Sequence, residues 1–263
     1  MAIVNEGKKL DISRVAKARR RFIAEHLGGR DLKILEIGAL DNPTFLQSED
    51  GVFFADVFSQ TESQLRHAKS NNRSAGRIVP VDFVLRDSTL RDAVTIRADL
   101  TIANHVIEHV PDVIRWLQDV RAVTASGGCL FLSVPDRRFT FDYFKPNSDA
   151  VDLVRAYDEK LVRPSKYQIL RHLYYHADID RFAAWEGRYP SDHLHRLPFP
   201  EAITRAKILS QNYTDVHCFF FTTESFKRVL DDLAETDLVP WTTIAIRDVG
   251  RNENEFRVLL RAI

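Results

Sequence analysis

The sequence of 263 residues predicts an α/β protein built on a doubly wound, mostly parallel sheet. Short apolar runs typical of buried strands alternate with stretches of helical spacing, the pattern of parallel sheets covered by helices on both faces. Most polar residues that suggest chemistry stand directly after those runs, where open α/β sheets bind their ligands. The alternation lapses between residues 136 and 216, which predicts a helical insertion after the fifth strand.

The strands are predicted from apolar runs that are bounded by turn residues. The seven runs cover residues 32–37, 51–57, 77–81, 98–103, 129–134, 239–246 and 255–263. Pro80 lies inside the third run, and because proline cannot donate to a ladder, this strand is expected to be short or irregular. Helical spacing is found at 63–70, 112–124 and 223–234, and in two patches of the insertion, 150–157 and 166–175.

Composition and charge restrict the class of protein. Lys plus Arg and Asp plus Glu each number 37, so no net field attracts nucleic acid. No apolar run approaches the roughly 20 residues that span a bilayer, and the N-terminus lacks the apolar stretch of a secretion signal. The two cysteines, Cys129 and Cys218, stand in apolar surroundings, which predicts free thiols in a reducing cytoplasm.

The N-terminal segment is locally basic. Its apolar residues recur with roughly helical period as far as Leu27, which predicts an amphipathic helix with a solvated basic face. Contact between that face and an anionic substrate or lipid is the alternative. The basic residues are Lys8, Lys9, Arg14, Lys17, Arg19, Arg20 and Arg21.

Two acidic residues follow the first two runs. The first run ends in Glu36-x-Gly38, and the second ends in Asp56, 20 residues beyond Glu36. Gly38 permits a close approach of the backbone to a ligand, and Asp56 is suited to accept ribose hydroxyls. Together they predict a nucleoside site, although a carboxylate at a strand end also caps turns.

The turn after Glu36 lacks the glycines of a dinucleotide site. A pyrophosphate is bound by Gly-x-Gly-x-x-Gly at a helix N-terminus. Here the second and third glycine positions hold Leu40 and Pro43, and Asp41 would repel phosphate. S-adenosylmethionine carries no phosphate, and its ammonium and sulfonium groups are cationic. Acidic residues around the turn therefore favour S-adenosylmethionine over a nicotinamide cofactor.

Five segments carry a resemblance to a known family. They read LEIGALDNP, ADV, VPVD, DLTIANHVIEHVPD and SGGCLFLSVPD. In this order and spacing they resemble the successive motifs of class I S-adenosylmethionine-dependent methyltransferases, which have a Rossmann-like fold. More narrowly, the chain is similar to a bacterial subgroup with the motifs EIGALxNP, ANHVIEH and VPDxRxTFD. The similarity is close over 32–142 and loose over 217–230, and Asp41 stands where the subgroup usually has His.

The resemblance implies which residues hold the cofactor. They are Glu36, Gly38 and Ala39 for the methionine part, Asp41 in the same turn, Asp56 and Val57 for the ribose, Asp82 and Phe83 for the adenine, and Asn104 and His105 beneath the sulfonium. For Asp82, a purely structural role at the end of its strand is an equal alternative. The role of Asp41 stays open because it departs from the subgroup's pattern.

Methyl transfer is a direct displacement at a sulfonium-activated carbon, so proximity and alignment contribute much of the catalysis. A hydroxyl acceptor gains from a general base, for which histidine is suited. His105 and His109 follow the fourth strand and share a helical face, although His109 is equally suited to a structural role. His193 in the insertion and His217 after it complete the catalytic candidates.

The insertion is rich in histidine and aromatic residues, which suit a polar acceptor pocket with stacking faces for a sugar ring. His172 and His176 have the i,i+4 spacing of a metal pair, but no neighbouring carboxylate or cysteine completes a recognisable pattern, so no metal site is predicted. Residues 1–29 are expected to form an N-terminal helical segment, 30–140 the cofactor-binding core, 141–216 the lid over the acceptor, and 217–263 the rest of the core.

The leading hypothesis is an enzyme that methylates an oxygen of a sugar or sugar-linked small molecule in cytoplasmic polysaccharide biosynthesis. The acceptor class follows from relatives of the subgroup and not from the residues themselves. The alternatives are a catalytically silent cofactor-binding scaffold in polysaccharide assembly, a nicotinamide-dependent oxidoreductase, and a nucleic-acid methyltransferase. The last finds little support in a net charge of zero. The sequence leaves the oligomeric state open.

Overall fold

The computed structural model describes residues 12–28, 31–49, 51–86, 88–190 and 197–263. The strands of the described chain are β1 (Ile34–Ile37), β2 (Val52–Asp56), β3 (Phe83–Val84), β4 (Ala98–Asn104), β5 (Thr124–Pro135), β6 (Trp241–Arg247) and β7 (Glu255–Ala262). The α-helices are α1 (Arg14–Leu27), α2 (Gln60–His67), α3 (Leu90–Ala93), α4 (Val113–Val123), α5 (Ala150–Asp158), α6 (Lys166–Tyr174), α7 (Arg181–Trp185), α8 (Phe199–Leu209) and α9 (Thr223–Ala234).

The strands form one sheet in the order β3-β2-β1-β4-β5-β7-β6. Strands β1 to β5 are parallel, and β7 runs antiparallel to both of its neighbours. Ile37 pairs with Ala55 on one side and with Ala103 on the other, so the carboxyl ends of β1, β2 and β4 lie level. The predicted doubly wound, mostly parallel sheet with a helical insertion after the fifth strand is confirmed.

Strand β3 lies later in the chain than predicted. Residues 77–81 do not form the expected strand, and the pairing with β2 covers Phe83 and Val84 instead. The prediction was wrong because Pro80 has no N–H to donate to a ladder. The first backbone bond to β2 comes two residues later, from the N–H of Asp82 to the carbonyl of Phe54 (2.9 Å).

Helix α2 begins three residues before its predicted start. Ser59 caps it, since its side chain accepts from the N–H of Glu62 while the Glu62 carboxylate accepts from the N–H of Ser59. This reciprocal arrangement satisfies two of the donors that every helix leaves free at its first turn. The cap therefore starts the helix at Gln60, and the helix ends at His67, three residues before the predicted end of 63–70.

Helix α1 covers one face of the sheet. Phe22 and Ile23 are buried there, and the Phe22 ring lies 5.8 Å from that of Phe131 in β5. The sequence predicted a solvated basic face for this helix, but the structure buries part of that face. Arg19 is buried and donates to both carboxylate oxygens of Glu255 at 3.0 and 2.6 Å, because the sheet brings the first residue of β7 beneath the helix. Lys8 and Lys9 lie outside the described residues.

Helices α5 to α8 occupy the insertion between β5 and α9. Helices α6 and α8 pack against each other, and α5 packs on α4 and α9, which ties the insertion to the opposite face of the sheet from α1. Ile169 and Ala206 are fully buried in this layer. Among the described residues, no helix is both long and apolar enough to cross a membrane.

Candidate active site

The carboxylate of Glu36 organises the turn after β1. Glu36 is completely buried, and the N–H of Thr44 donates to its two oxygens at 2.9 and 2.8 Å. The side-chain amide of Asn104, at the end of β4, donates to Oε1 at 2.8 Å. Burial raises the pKa of Glu36, and these hydrogen bonds act against the increase. Glu36 therefore holds the turn in place and presents no free oxygen to a ligand.

Asn104 links the turn to two strands. Its amide nitrogen also donates to the hydroxyl of Thr44 (2.8 Å), and its carbonyl oxygen accepts from the hydroxyl of Ser133 in β5 (2.9 Å). Arg20 of α1 adds a bond to the carbonyl of Thr44. Because every one of these polar groups has a partner, we expect this network to be rigid. Residues 36–44 and Asn104, together with Asp56, Asp82 and Phe83 of the neighbouring β2 and β3 segments, are called the cofactor edge below.

Gly38 lets the turn lie close to the segment after β4. Its φ of +68° is in the left-handed region, and an added Cβ would come within 2.9 Å of Cγ2 of Val106. A side chain here would be strained and would also have to displace Val106. Ala39 beside it is buried. The backbone conformation and the packing against Val106 thus both favour glycine at this position.

Asp56 lies at the carboxyl end of β2, half-buried and one strand away from Gly38. Its Oδ1 accepts one long bond from the N–H of Phe58 (3.4 Å), and burial raises the pKa of its carboxyl group. It therefore retains acceptor capacity for a hydroxylated ligand. Val57 next to it is exposed.

Asp82 and Phe83 lie at the neighbouring strand end. Oδ2 of Asp82 accepts from the N–H of Phe54 at 2.8 Å, which extends the pairing of β2 to this segment, while the residue itself stays exposed. The ring of Phe83 is half-buried, with its centroid 6.3 Å from that of Phe53. The structure therefore places a carboxylate and an aromatic ring side by side beyond Asp56.

Asp41 binds a loop of the protein itself. Its two oxygens accept from the guanidinium of Arg73 (3.1 Å) and from the N–H of Ser74 (2.8 Å). Although partial burial acts to raise it, these partners hold the pKa of Asp41 below its ordinary value. In this position Asp41 links the segment that leads to β3 to the turn after β1.

A cleft of about 820 Å³ opens at the carboxyl edge of the sheet, beyond Asn104. We call it the histidine cleft. The residues that define it are His105, Glu108, His109, Phe139, Phe141, His176 and His217, with Arg73 at its border. It combines charged, aromatic and imidazole groups, so it is suited to a polar ligand with some flat or apolar surface.

His105 is placed in the cleft by an unusual backbone conformation. Its φ is +53°, which is uncommon for a residue with a side chain and is seen mainly where surrounding structure enforces it. Its Nε2 lies 2.9 Å from the carboxylate of Glu255. Burial acts to raise the pKa of the Glu255 carboxyl, but Arg19 and His105 outweigh this effect and lower the pKa. An ionised Glu255 therefore orients His105 through Nε2–H and leaves Nδ1 to accept a proton.

His109 and His217 meet although they are far apart in sequence. The N–H of Cys218 donates to the carbonyl of Glu108 (2.6 Å), which places the segment after the insertion beside the turn Ile107–His109. The two rings lie 4.6 Å apart, edge to face. Nδ1 of His109 is 2.7 Å from the carboxylate of Asp215.

The carboxylate of Asp142 orients His217. Its Nδ1 is 2.6 Å from Asp142, whose other oxygen binds the fully buried Lys145. Although burial acts to raise it, His217 and Lys145 hold the pKa of Asp142 at about 2. The ammonium of Lys145 also lies 4.5 Å from the ring centroid of Phe220.

The other histidines of the insertion are only partly brought together. His176 stacks on Phe141 with ring centroids 4.8 Å apart, and His172 lies 5.6 Å from His176. Burial and the nearby Lys145 lower the pKa of His172 to about 3, which keeps its ring neutral. His193 lies outside the described residues.

Sequence reasoning missed the residues that hold the predicted ones. Thr44, Asp142, Asp215 and Glu255 are each bonded to a predicted site residue. Asp142 ends the VPDxRxTFD motif and Glu108 stands inside ANHVIEH, so the motifs themselves contained a signal. Nothing in the sequence pairs Asp215 with His109 or Glu255 with His105, since those contacts depend on the fold.

Comparison with known proteins now identifies the family. The model of a family described as "Methyltransferase domain" matches residues 6–233, which is most of the chain. The chain therefore belongs to this family: it is a methyltransferase of the S-adenosylmethionine-dependent kind, and the recognition made from the five segments is confirmed. The match favours this reading over a nicotinamide-dependent oxidoreductase. No curated protein matches the sequence.

Solved structures of methyltransferases resemble the chain at low identity. The CcbJ methyltransferase from Streptomyces caelestis is 11% identical, with 98% of this chain and 100% of that one covered and a TM-score of 0.45. An S-adenosylmethionine-dependent methyltransferase from Mesorhizobium loti is 13% identical, with 96% and 100% covered and a TM-score of 0.43. Magnesium protoporphyrin IX methyltransferase from Synechocystis, solved with S-adenosylhomocysteine, is 9% identical, with 98% and 90% covered and a TM-score of 0.42.

Proposed function

We propose that the chain methylates a hydroxyl oxygen of a small polar acceptor, a sugar or a sugar-linked molecule, that binds in the histidine cleft. The observation that carries this proposal is the position of His105. It directly follows Asn104 at the end of β4, is oriented by Glu255, and lines the histidine cleft.

The residues of the cofactor edge fit S-adenosylmethionine, which supplies a methyl group activated on a cationic sulfur. Asp56 keeps acceptor capacity for ribose hydroxyls, with Asp82 and Phe83 beyond it for the adenine. Gly38 and Ala39 offer backbone at close range for the amino-acid part. Glu36 and Asn104 act indirectly in this proposal, because their polar atoms are already bonded within the protein.

His105 acts as the general base. As a lone pair of the acceptor oxygen forms the bond to the methyl carbon, the carbon–sulfur bond breaks and its electrons stay on sulfur, which becomes a neutral thioether. The hydroxyl proton passes to Nδ1 of His105, while Glu255 holds the ring through Nε2–H and stabilises the charge that develops. Arg19 keeps Glu255 ionised and fixed from the other side.

The segments of the insertion before α5 and between α6 and α7 supply most of the wall of the acceptor site in this proposal. Phe141 and the stacked His176 give flat faces against which a ring can pack, and Arg73, Asp178 and Asp180 border the cleft with polar groups. Such a mixture suits a sugar ring, which has apolar faces and hydroxyl edges. The resemblance to the bacterial subgroup supports, within this proposal, an acceptor from cytoplasmic polysaccharide biosynthesis.

Calorimetric titration with S-adenosylhomocysteine tests the cofactor site, and labelled S-adenosylmethionine with a panel of free and nucleotide-linked sugars tests the reaction. We expect micromolar binding and label transfer to a hydroxyl, located by mass spectrometry of the product. Transfer only to nitrogen or carbon atoms would contradict the oxygen acceptor. Binding without transfer to any member of a broad panel would favour the silent scaffold instead.

A further inference from the structure

Glu108 is a buried carboxylate without hydrogen-bond partners. It is 1% exposed, and neither of its side-chain oxygens has a hydrogen-bond partner among the described residues. Nδ1 of His105 lies 3.7 Å and Nε2 of His109 4.0 Å from its Oε1, and both distances are too long for hydrogen bonds. An ionised carboxylate that is buried without a partner is strongly disfavoured, and buried charges are therefore usually paired or coordinate a metal. Glu108 also lines the histidine cleft, so a metal ion has access to it.

Glu108, His109 and His217 each offer one ligand atom, and these atoms all lie within 4.8 Å of one another. Two imidazoles and one carboxylate form the protein part of many catalytic metal centres, which keep a further position open for water or substrate. Ligands about 2.0–2.2 Å from one cation lie roughly 3–3.5 Å apart, so the longest separation among the three ligand atoms needs to shorten by up to about 1.5 Å. Within the described residues this is the sole group of such donors.

The second nitrogen of each histidine is already held by a carboxylate. Nδ1 of His109 bonds Asp215, and Nδ1 of His217 bonds Asp142. This arrangement makes Nδ1 the protonated nitrogen in both rings and leaves the lone pair on Nε2. Carboxylate–histidine pairs of this kind fix the tautomer and the ring orientation of metal ligands. The two histidines beside Glu108 are therefore already oriented in the way that metal ligands are, which a burial of Glu108 for packing alone would not explain.

We propose that Glu108, His109 and His217 bind a divalent transition-metal cation such as Zn²⁺, whose open coordination positions face the histidine cleft and take an oxygen of the acceptor. The role toward the acceptor rests on the proposed methyl transfer, whereas the metal site itself does not. A cation here polarises the acceptor hydroxyl and eases loss of its proton to His105. The methyl group then moves to that oxygen as described above, with no further reactant.

The proposal differs from the prediction of no metal that was made from the sequence. The suspected pair was His172 and His176, which have helical spacing. His176 stacks on Phe141 instead, and the trio forms from residues 108, 109 and 217, which only the fold brings together.

Metal binding is measured directly on the full chain after treatment with a chelator. Zn²⁺ is titrated by calorimetry, and Co²⁺ by its visible absorption, which reports imidazole coordination. We expect one ion per chain, an affinity lowered at least 100-fold in Glu108→Gln and in His217→Asn, and wild-type affinity in the matched control His176→Asn. The same affinity in Glu108→Gln as in the wild type, or no binding by the wild type at micromolar metal, would overturn the proposal.

Thermal unfolding separates a ligand from a merely structural residue. Without metal, Glu108→Gln is expected to be at least as stable as the wild type, since it removes an uncompensated buried charge. Added Zn²⁺ should raise the unfolding temperature of the wild type and of His176→Asn, but not that of Glu108→Gln. A variant that is less stable without metal, with no wild-type response to Zn²⁺, would identify Glu108 as structural and refute the site.

The two proposals fail separately. If S-adenosylhomocysteine binds and methyl transfer continues unchanged in the presence of a chelator, the metal has no role toward the acceptor and methyl transfer stands. If Zn²⁺ binds as expected but S-adenosylhomocysteine does not, the metal site stands and the proposed function is wrong. Loss of transfer with the chelator and its return with Zn²⁺, at constant affinity for S-adenosylhomocysteine, supports both.

Discussion

Glu36 and Glu108 are two buried glutamates at the same edge of one sheet, and they differ in what surrounds them. Both oxygens of Glu36 are bonded to the turn or to Asn104. Those of Glu108 have no hydrogen-bond partner in the described part of the chain, although the residue is equally buried. The comparison separates two uses of a buried carboxylate. At the cofactor edge it fixes the backbone, and in the histidine cleft it is available to a ligand.

This contrast extends to the surrounding residues. Around Glu36, the cofactor edge is held by backbone donors and neutral side chains, namely Thr44, Asn104 and Ser133. The histidines of the cleft are supported by charged pairs, among them Asp142 with Lys145 and Glu255 with Arg19. A change at the cofactor edge should therefore alter cofactor affinity, while a change in the cleft should alter turnover and leave that affinity in place. The predictions below test this division.

The largest effect is expected at His105. His105→Asn removes the base but keeps a side chain that tolerates positive φ, so backbone strain should not be added. We expect kcat to fall about 10²- to 10⁴-fold, the contribution usual for a general base, with the affinity for S-adenosylhomocysteine within a few-fold of wild type. His26→Asn, outside the cleft, serves as the control. A loss confined to cofactor affinity would show that His105 acts in cofactor binding and not as the base in the cleft.

The buried ion pair beneath His217 gives the next largest effect, on stability. Lys145→Met leaves Asp142 without its buried cation, and breaking such pairs costs about 3–5 kcal/mol. Lys227→Met is a matched control, because Lys227 also pairs with an aspartate on its own segment but is exposed. That change should cost at most about 1 kcal/mol. Urea unfolding measures both, and similar losses in the two variants would show that the buried charge is not essential.

At the cofactor edge, Asp56→Asn should weaken S-adenosylhomocysteine binding about 10- to 100-fold. Hydrogen bonds to a charged group contribute about 1.5–3 kcal/mol, and Asp56 is the acid with spare acceptor capacity at the end of β2. Asp99→Asn is the control, since Asp99 bonds the N–H of Lys33 near the opposite end of the sheet. Calorimetry measures the affinity of both variants for S-adenosylhomocysteine. An unchanged affinity in Asp56→Asn would show that Asp56 has only a structural role in its turn.

The fold was predictable because it depends on local patterns. Apolar runs, turn residues and helical spacing located six of the seven strands of the described chain and the insertion. The exception, β3, contains only two paired residues, and its place was decided by where Pro80 permits a ladder to begin. So short a strand has no periodicity of its own to recognise.

The site was predictable where each residue follows its own strand. Asp56, Asn104 and His105 were found because parallel strands end at one edge. Contacts between distant segments were not predictable. The pairing of His109 with Asp215 depends on the backbone bond from Cys218 to Glu108. Arg19 seemed to belong to a solvated basic face, and only the position of Glu255 shows why it is buried.

Asp41 is the residue at which the chain departs from the motif it resembles, and the smallest effect is expected there. Its carboxylate binds Arg73 and the N–H of Ser74 near the surface. Asp41→Asn should therefore cost only about 0.2–1 kcal/mol at neutral pH, as partly exposed pairs do. Because the folded state lowers the pKa of Asp41, this contribution is present above the unfolded value of about 3.9 and is lost as the pH falls through the folded one.

A double-mutant cycle with Arg73→Gln separates the ion pair from the bond to Ser74. We expect the coupling between Asp41 and Arg73 to shrink with added salt and to vanish at acidic pH, while S-adenosylhomocysteine affinity changes less than it does in Asp56→Asn. Asp41→His, which restores the residue usual in the subgroup, should behave like Asp41→Asn in stability. If either variant instead lost cofactor affinity as Asp56→Asn does, Asp41 would contact the ligand, and the cofactor edge would not be as fully bonded as its hydrogen bonds indicate.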